Sequence, residues 1–277
     1  MSRSKFQLKT NENIIAMRRA GLATAAALEA VRAAVRPGIS TLELDALANK
    51  AIVDLGGRSN FQLVPGYFHT ICASINDEVV HGIPSAERIL QPGDILSIDA
   101  GAEVDGWNGD AAITVIVPGG DAELSKARQH LSDVTENSLW AGIAALATAT
   151  RLNDIGTAIE KSIEAAGKFG ILEHYVGHGI GRSMHEDPPV FNYRTRDGGP
   201  KVKPGLVIAI EPMVTAGSEE TKILADEWTV STVDGSDASH WEHTVARHAT
   251  GIWVLTEPDG GEAKLAKFGI KPVPLSN

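Results

Sequence analysis

The sequence predicts an α+β protein built from two helix-helix-sheet halves arranged about a pseudo-two-fold axis. Two matched phrases carry most of that prediction. Gln91-Pro92-Gly93-Asp94-Ile95-Leu96-Ser97-Ile98-Asp99 and Lys203-Pro204-Gly205-Leu206-Val207-Ile208-Ala209-Ile210-Glu211 each open on a Pro-Gly turn, continue as an apolar run, and close on a carboxylate seven residues after the proline. A turn followed by a short apolar run reads as a buried strand. Each phrase is then followed by a second acid leading a second apolar run, Asp110 before Ala111-Ala112-Ile113-Thr114-Val115 and Glu242 before His243-Thr244-Val245. The order of elements also repeats, with two helical patterns and then strand-rich sequence in each half. The acids of both halves have to converge, so residues 1–277 are expected to form one domain without an internal linker. Its core is expected over 11–257, with repeats over 11–120 and 121–257 and the remainder as a tail.

In chain order, Asn11 is expected to cap a helix that runs through Ile14, Ile15, Met17 and an alanine-rich stretch to Val35, where Pro37-Gly38 ends it. Thr41 starts a second helix, with Leu44, Leu47, Ala48, Ala51, Ile52 and Leu55 at helical spacing and Gly56-Gly57 as its stop. From Ser59 to Val117 short β-like runs appear, at Thr70 to Ile75, Ile95 to Ala100 and Ala112 to Val117. Asp121 then opens a long helix through Leu131, Val134, Leu139, Ile143 and Leu146. A further helix runs from Asp154 to Gly167, and strand-rich sequence follows to Leu255.

Composition narrows the function classes. With 43% hydrophobic and 22% charged residues the chain is an ordinary globular one, and its net charge of −10 argues against a general nucleic-acid or membrane-surface binder. Cys72 is the single cysteine, which excludes an internal disulfide and a multi-cysteine zinc module and suits a reducing compartment. Met1 to Lys5 lacks a following apolar segment of signal-peptide type, and no stretch approaches the ~18 apolar residues of a membrane span. The expected location is the cytoplasm, and the expected partners are peptides or small molecules.

The four acids set the chemistry. A carboxylate closing an apolar strand is costly to bury unless it is paired or binds a cation. Asp99, Asp110, Glu211 and Glu242 cannot all stay ionised within a few ångströms of one another without positive charge between them. Taken singly, each acid reads as a strand-end or solvated residue; recurrence at the same step after the same turn overturns that reading. Between the halves, Tyr175-Val176-Gly177-His178-Gly179-Ile180-Gly181 offers an imidazole flanked by glycines. Four carboxylates and one imidazole suffice for two divalent cations ~3.5–4 Å apart. Ligation rich in oxygen with one nitrogen suits Mn, Fe, Co or Zn better than Mg or Ca.

Seven further motifs make the sequence resemble the type I methionine aminopeptidases of the pita-bread metallopeptidase fold, family M24, from about Asn11 to Glu257. They are Val79-Val80-His81-Gly82-Ile83-Pro84, Ser97-Ile98-Asp99, Asn108-Gly109-Asp110, Gly177-His178-Gly179-Ile180-Gly181, Met184-His185-Glu186-Asp187-Pro188, Ile210-Glu211-Pro212-Met213 and Trp241-Glu242-His243-Thr244. The resemblance implies Asp99, Asp110, His178, Glu211 and Glu242 as metal ligands. It implies His81 as a substrate contact, His185 as the group that stabilises the reacting carbonyl, and Glu211 as proton shuttle. It also implies an apolar substrate pocket walled by Tyr67, Cys72, Met184 and Trp228, although Phe61, Val64 and Met184 depart from residues common in bacterial relatives. His69, His130, His174, His240, His243 and His248 read as structural or surface residues. The chain resembles the short bacterial form, with neither a cysteine-rich extension nor a long insertion between His185 and Glu211.

The function so implied is removal of the initiator methionine from nascent chains with a small second residue, by a monomeric, cytoplasmic dinuclear metalloaminopeptidase. Two alternatives stay open. One is a proline-directed member of the same fold, an aminopeptidase P or prolidase, which typically carries an additional N-terminal domain. The other is a metal-free binding module, which should have lost ligands. A basic cluster, Arg194, Arg196, Lys201 and Lys203, lies in the polar stretch Tyr193 to Pro204 and reads first as a solvated loop, second as a transient ribosome contact.

Overall fold

The computed structural model describes residues 6–275; the polar start Met1 to Lys5, expected to be no signal peptide, lies outside them. Helices α1 (Asn11–Ala34) and α2 (Thr41–Asp54) both begin at a reciprocal cap. At α1 the cap is Thr10, one residue earlier than expected. The Thr10 hydroxyl accepts from the Asn13 N–H, and the Asn13 side chain accepts from the Thr10 N–H. Ser40 and Glu43 make the same exchange at α2, so each helix start has two otherwise orphaned donors satisfied. Helix α3 (Ala122–Leu146) is capped by the Asp121 carboxylate, and α4 (Asp154–Ala166) packs along it. A short α5 (Glu262–Leu265) comes late in the chain.

The first-half strands are β1 (Arg58–Ser59), β2 (Ile71–Ile75), β3 (Glu78–Val80), β4 (Ile95–Val104) and β5 (Trp107–Ile116). The second half adds β6 (Gly170–Ile171), β7 (Gly177–Gly179), β8 (Glu186–Val190), β9 (Leu206–Ile210) and β10 (Met213–Thr215). It continues with β11 (Thr221–Ile223), β12 (Val230–Thr232), β13 (Ala238–His240), β14 (Glu242–Arg247) and β15 (Ile252–Val254). Both Pro-Gly phrases lead into strands, β4 and β9, through glycines with φ of +87° at Gly93 and +92° at Gly205. Only glycine takes that conformation without strain, which is why the turn recurs with the same residue.

Strands β4 and β5 run past Ala100 and begin before Ala112, the limits expected from apolar runs alone. A two-residue turn at Asp105-Gly106, with φ of +52° and +74°, joins them, and Val104 pairs Trp107 at its base. Asp-Gly is a strong hairpin signal because both turn residues need positive φ. Nine strands form one antiparallel sheet in the order β1-β4-β5-β14-β9-β7-β8, with β2 on β4 and β15 on β14. The seam between the halves is the β5–β14 pair, where Glu242 stands opposite Ala112 and His243 opposite Ala111. The helices cover one face of this sheet, and Trp140 of α3, fully buried, lies in the main core beside Leu139 and Ile143.

Residues beyond Glu257 dock more firmly than a tail. Leu265 is fully buried, Ile270 packs on the core, and the Val273 N–H donates to the Ile252 carbonyl at 3.0 Å. The Val273 carbonyl accepts from His248 Nε2–H at 3.0 Å.

Helix α1 sits unusually close to the sheet. A Cβ placed on Gly21 would lie 2.2 Å from the Leu255 carbonyl oxygen, and one on Gly109 would lie 2.7 Å from the Gly21 backbone nitrogen. Both obstacles are main chain, so neither can yield by a rotamer change. Gly21→Ala and Gly109→Ala are each expected to destabilise the protein by about 1–3 kcal/mol, the usual penalty for overpacking. Thermal unfolding of the two variants checks this, and an unchanged midpoint would refute the close approach.

Candidate active site

The pleat of the central sheet brings the acids together. Asp99 on β4 stands opposite Ala112 on β5, which stands opposite Glu242 on β14. Residues in one such row share a face, and so do residues two apart along a strand. Asp110, two residues before Ala112, therefore joins Asp99 and Glu242. Ile210 pairs His243, so Glu211, next along the chain, comes level with Glu242 on the same face. Gly179 pairs Ile208, which sets His178 beside Ala209 on that face too. Five residues predicted from sequence thus meet in one place because four strand registers agree.

The distances define a cluster. His178 Nε2 lies 3.4 Å from Glu211 Oε1 and 4.0 Å from Asp110 Oδ2. The other imidazole nitrogen, Nδ1–H, donates to the Gly179 carbonyl at 2.9 Å, which leaves the Nε2 lone pair aimed at the acids. Asp99 Oδ1, Asp110 Oδ1 and Glu242 Oε1 are buried and have no hydrogen-bond partner among the described residues. Asp99 and Glu211 keep some accessible surface, but it opens into the cavity described below. Burial pushes the Asp99 carboxyl up to about 7. Burial first, and then the neighbouring acids, hold Asp110, Glu211 and Glu242 well above the carboxylate range. Burial lowers His178 to about 4, so its imidazole is neutral. Unpartnered oxygens, mutually repelling carboxyls and a neutral nitrogen form a donor set that a divalent cation satisfies. Asp110, His178 and Glu242 make one group whose ligand atoms lie within 4.8 Å of each other, and Glu211, His240 and Glu242 make another. Asp99 belongs to neither, though it lines the same cavity.

A cavity of about 470 Å³ opens from the acids. Tyr67, Cys72, Met184 and Trp228, the expected walls, pack together there with Phe61 and Val64. Tyr67 faces Trp228 with ring centroids 5.1 Å apart and donates its hydroxyl to the Ile71 carbonyl at 2.6 Å. Cys72 is the cross-strand partner of Asp99, so the apolar wall and the acid cluster share one strand pair. His81, at φ +61° in a left-handed conformation, lies edge-on to Tyr175 at 5.9 Å. The exposed His185 ring is 4.4 Å from that of His178, at the cavity rim. Burial lowers both His81 and His185, and His185 lowers His81 further.

The residues that sequence reasoning missed are mostly holders. Thr244 Oγ1 accepts from the Asp110 N–H at 2.9 Å and donates to the Asp110 carbonyl at 2.8 Å, clamping an acid of the first half to a strand of the second. Asp45 accepts from the Thr70 and Ile71 N–H groups at 2.7 and 3.0 Å and so anchors the strand that carries Cys72. His240, expected to be structural or on the surface, is 2% exposed and lines the cavity. Its signal was its place two residues before Glu242, the spacing that keeps one face in an extended chain.

Comparison with known proteins agrees with this geometry. The model of Metallopeptidase family M24 matches residues 15–248. Methionine aminopeptidase 1 of Mycobacterium tuberculosis is 51% identical over 246 residues, which is 87% of this chain and 91% of the relative. Methionine aminopeptidase 1 of Bacillus subtilis is 44% identical over 248 residues, 90% of this chain and 98% of the relative. The crystal structure of a methionine aminopeptidase from Thermotoga maritima matches with a TM-score of 0.86 at 38% identity, covering 91% of this chain and 99% of that one. A prolidase from Pyrococcus furiosus, 19% identical with a TM-score of 0.69, shares the fold, and the match spans 65% of its chain. The fold is therefore the α+β pita-bread fold, and the chain belongs to metallopeptidase family M24, among its methionine aminopeptidases.

Proposed function

We propose that the protein hydrolyses the peptide bond after an N-terminal methionine, acting on nascent chains whose second residue is small. The observation that carries the reading is the acid cluster itself. Four carboxyls from both halves surround a neutral imidazole, with buried oxygens left unpartnered, at the end of an apolar slot. Asp99, Asp110, His178, Glu211 and Glu242 would hold two divalent cations, with Mn, Fe, Co and Zn as candidates. When bound, such ions supply Lewis-acid polarisation of a carbonyl and a water acidified towards neutral pH.

The protein's own groups do the rest. Glu211 lines the cavity with Oε1 3.4 Å from His178 Nε2, and as a carboxylate beside bound metal it would accept a proton and return it to the leaving amine. His81 and His185, neutral because burial disfavours their charge, can donate N–H to the oxygen of the tetrahedral intermediate. The slot of Tyr67, Cys72, Met184 and Trp228 orients a long, unbranched, polarizable side chain against aromatic faces.

Retention of all five expected ligands disfavours a metal-free binding module. Relatives at 42–51% identity are methionine aminopeptidases whereas the matched prolidase is 19% identical, which disfavours a proline-directed enzyme. No helix among the described residues is long and apolar enough to cross a membrane. Processing of nascent chains would place a monomeric enzyme in the cytoplasm. A ribosome contact through Tyr193 to Pro204 has less support, because Arg194 is already engaged by Glu160 and Glu164. The direct test is turnover of Met-Ala-Ser by chelator-stripped protein on separate addition of Mn, Fe, Co and Zn. No turnover with any of them would defeat the reading.

Loss of Glu242 or Asp110 should act on the metal first. Asp110→Ala and Glu242→Ala are expected to lower both bound metal and turnover, and near-normal activity in either variant at saturating metal would exclude a dinuclear centre.

Selectivity follows from the slot. Norleucine at the first position should be tolerated and Leu or Lys refused, since one methylene in an apolar pocket changes binding by only ~1–3 kcal/mol whereas branching or charge does not fit. Trp228→Ala should raise KM for Met-Ala-Ser about 10-fold or more with metal content unchanged. Wild-type cleavage of Leu-Ala-Ser or Met-Lys-Ser as fast as Met-Ala-Ser would indicate a broader aminopeptidase.

The stripped protein should also respond to pH. Asp99 rises from 3.8 to about 7 on folding, and Asp110, Glu211 and Glu242 shift in the same direction. A raised folded pKa gives stability that is full below the unfolded pKa and is lost as pH rises through the folded one. The unfolding midpoint should therefore fall as pH rises from about 5 to 8, and saturating metal should flatten that fall. A flat profile without metal would show that the acids do not share one buried site.

A further inference from the structure

We propose that His240 is a second imidazole ligand, holding the Glu211–Glu242 side of the centre as His178 holds the Asp110 side. The inference rests on the metal-centre reading above and assigns a residue beyond its five ligands.

Glu211 lies between two imidazoles. His178 Nε2 is 3.4 Å from Glu211 Oε1, and His240 Nε2 is 3.7 Å from Glu211 Oε2 and 4.0 Å from Glu242 Oε2. The two possible ligand groups, Asp110-His178-Glu242 and Glu211-His240-Glu242, each contain one imidazole and two carboxyls, with Glu242 common to both. Two imidazoles would thus serve a pair of cations, one per cation on average.

The His240 backbone is fixed and its Nε2 is available for this role. The His240 N–H lies 3.2 Å from Ser97 Oγ and 3.1 Å from Thr114 Oγ1, which accept from it, and its carbonyl accepts from Thr114 Oγ1–H at 2.8 Å. Those partners sit on β4 and β5, so a second-half histidine is pinned to the first half beside Asp99 and Asp110. Nε2, by contrast, is buried and has no hydrogen-bond partner among the described residues. A histidine that only filled space would be expected to satisfy that nitrogen. Separations of 3.7 and 4.0 Å are too long for hydrogen bonds. They suit atoms on either side of a shared ion, because bonds of ~2.0–2.2 Å set ligand atoms about 3–4 Å apart.

The test counts imidazoles in protein loaded with two equivalents of cobalt(II). X-ray absorption on wild type, His240→Gln, His240→Ala and His178→Ala gives the count, and calorimetry on the same samples gives the cobalt Kd. Wild type should average one imidazole per cobalt, and each histidine variant half of that. The weaker-bound equivalent should lose about 10–100-fold in affinity in both His240 variants. A wild-type average of half an imidazole per cobalt overturns the assignment without reference to any variant, so misfolding of a variant cannot shield it. An imidazole count and Kd unchanged from wild type in His240→Gln or His240→Ala would overturn it as well. Failure of wild type to bind cobalt at all would instead remove the metal-centre reading, and this inference with it.

Discussion

Repulsion among four carboxyls held on one face of a sheet is the constraint on which the rest of this molecule depends. Asp99, Asp110, Glu211 and Glu242 come from four different strands, so a slip of one residue in any pairing would turn an acid towards the helices and break the cluster. Much of the surrounding structure serves to forbid such slips. Thr244 grips the Asp110 backbone through both its N–H and its carbonyl. Gly21 and Gly109 let α1 press against β5 next to Asp110 with main chain on main chain, where no side chain can adjust. The like charges that this scaffold forces together have two ways to relax, protonation or a shared cation. Burial and mutual repulsion raise the proton affinity of Asp110 and Glu242, the strain that a shared cation relieves.

The same register joins specificity to chemistry. Because Cys72 is the cross-strand neighbour of Asp99, the apolar wall of Tyr67, Cys72 and Trp228 lies beside the acids on one strand pair. Asp45 fixes the entry of that strand by accepting two consecutive N–H groups, and Tyr67 ties the adjoining loop to the Ile71 carbonyl. A shift of the slot would therefore move the β2–β4 pair and Asp99 with it. The positions of the slot and of Asp99 are mechanically coupled here, the kind of fixed geometry from which an active site gains.

How much of this was legible in the sequence varies with the kind of signal. The two Pro-Gly phrases were readable because a positive-φ glycine and an apolar run are local, and their repetition lifted the acids above the ordinary expectation of solvent exposure. Strand ends were read short at Ala100 and Ala112 because apolar runs were followed while the Asp105-Gly106 turn, an equally local signal, was passed over. The pocket walls were legible only through resemblance. Tyr67, Met184 and Trp228 lie in loops that carry no period, and their meeting is a consequence of tertiary packing. His240 fell between these cases. Its step of two from Glu242 was visible, but β13 and β14 belong to different sheets, and nothing local shows that the chain keeps one face across Trp241.

The duplication has a further consequence. Each half offers the same pair of acid-bearing strands, yet neither half completes the centre. The first supplies Asp99 and Asp110 with Tyr67, Cys72 and His81, whereas the second supplies Glu211 and Glu242 with His178, His185, Met184 and Trp228. Imidazoles that face the acid cluster directly, His178 and His240, both come from the second half; the His240 backbone is held by Ser97 and Thr114 of the first half, and His178 by the Gly179 carbonyl of its own. Here oxygen donors are shared evenly between the halves and nitrogen donors are not. The seam at β5–β14 is therefore the place where the two halves become chemically dependent on each other, and a break there would separate Asp110 from Glu242.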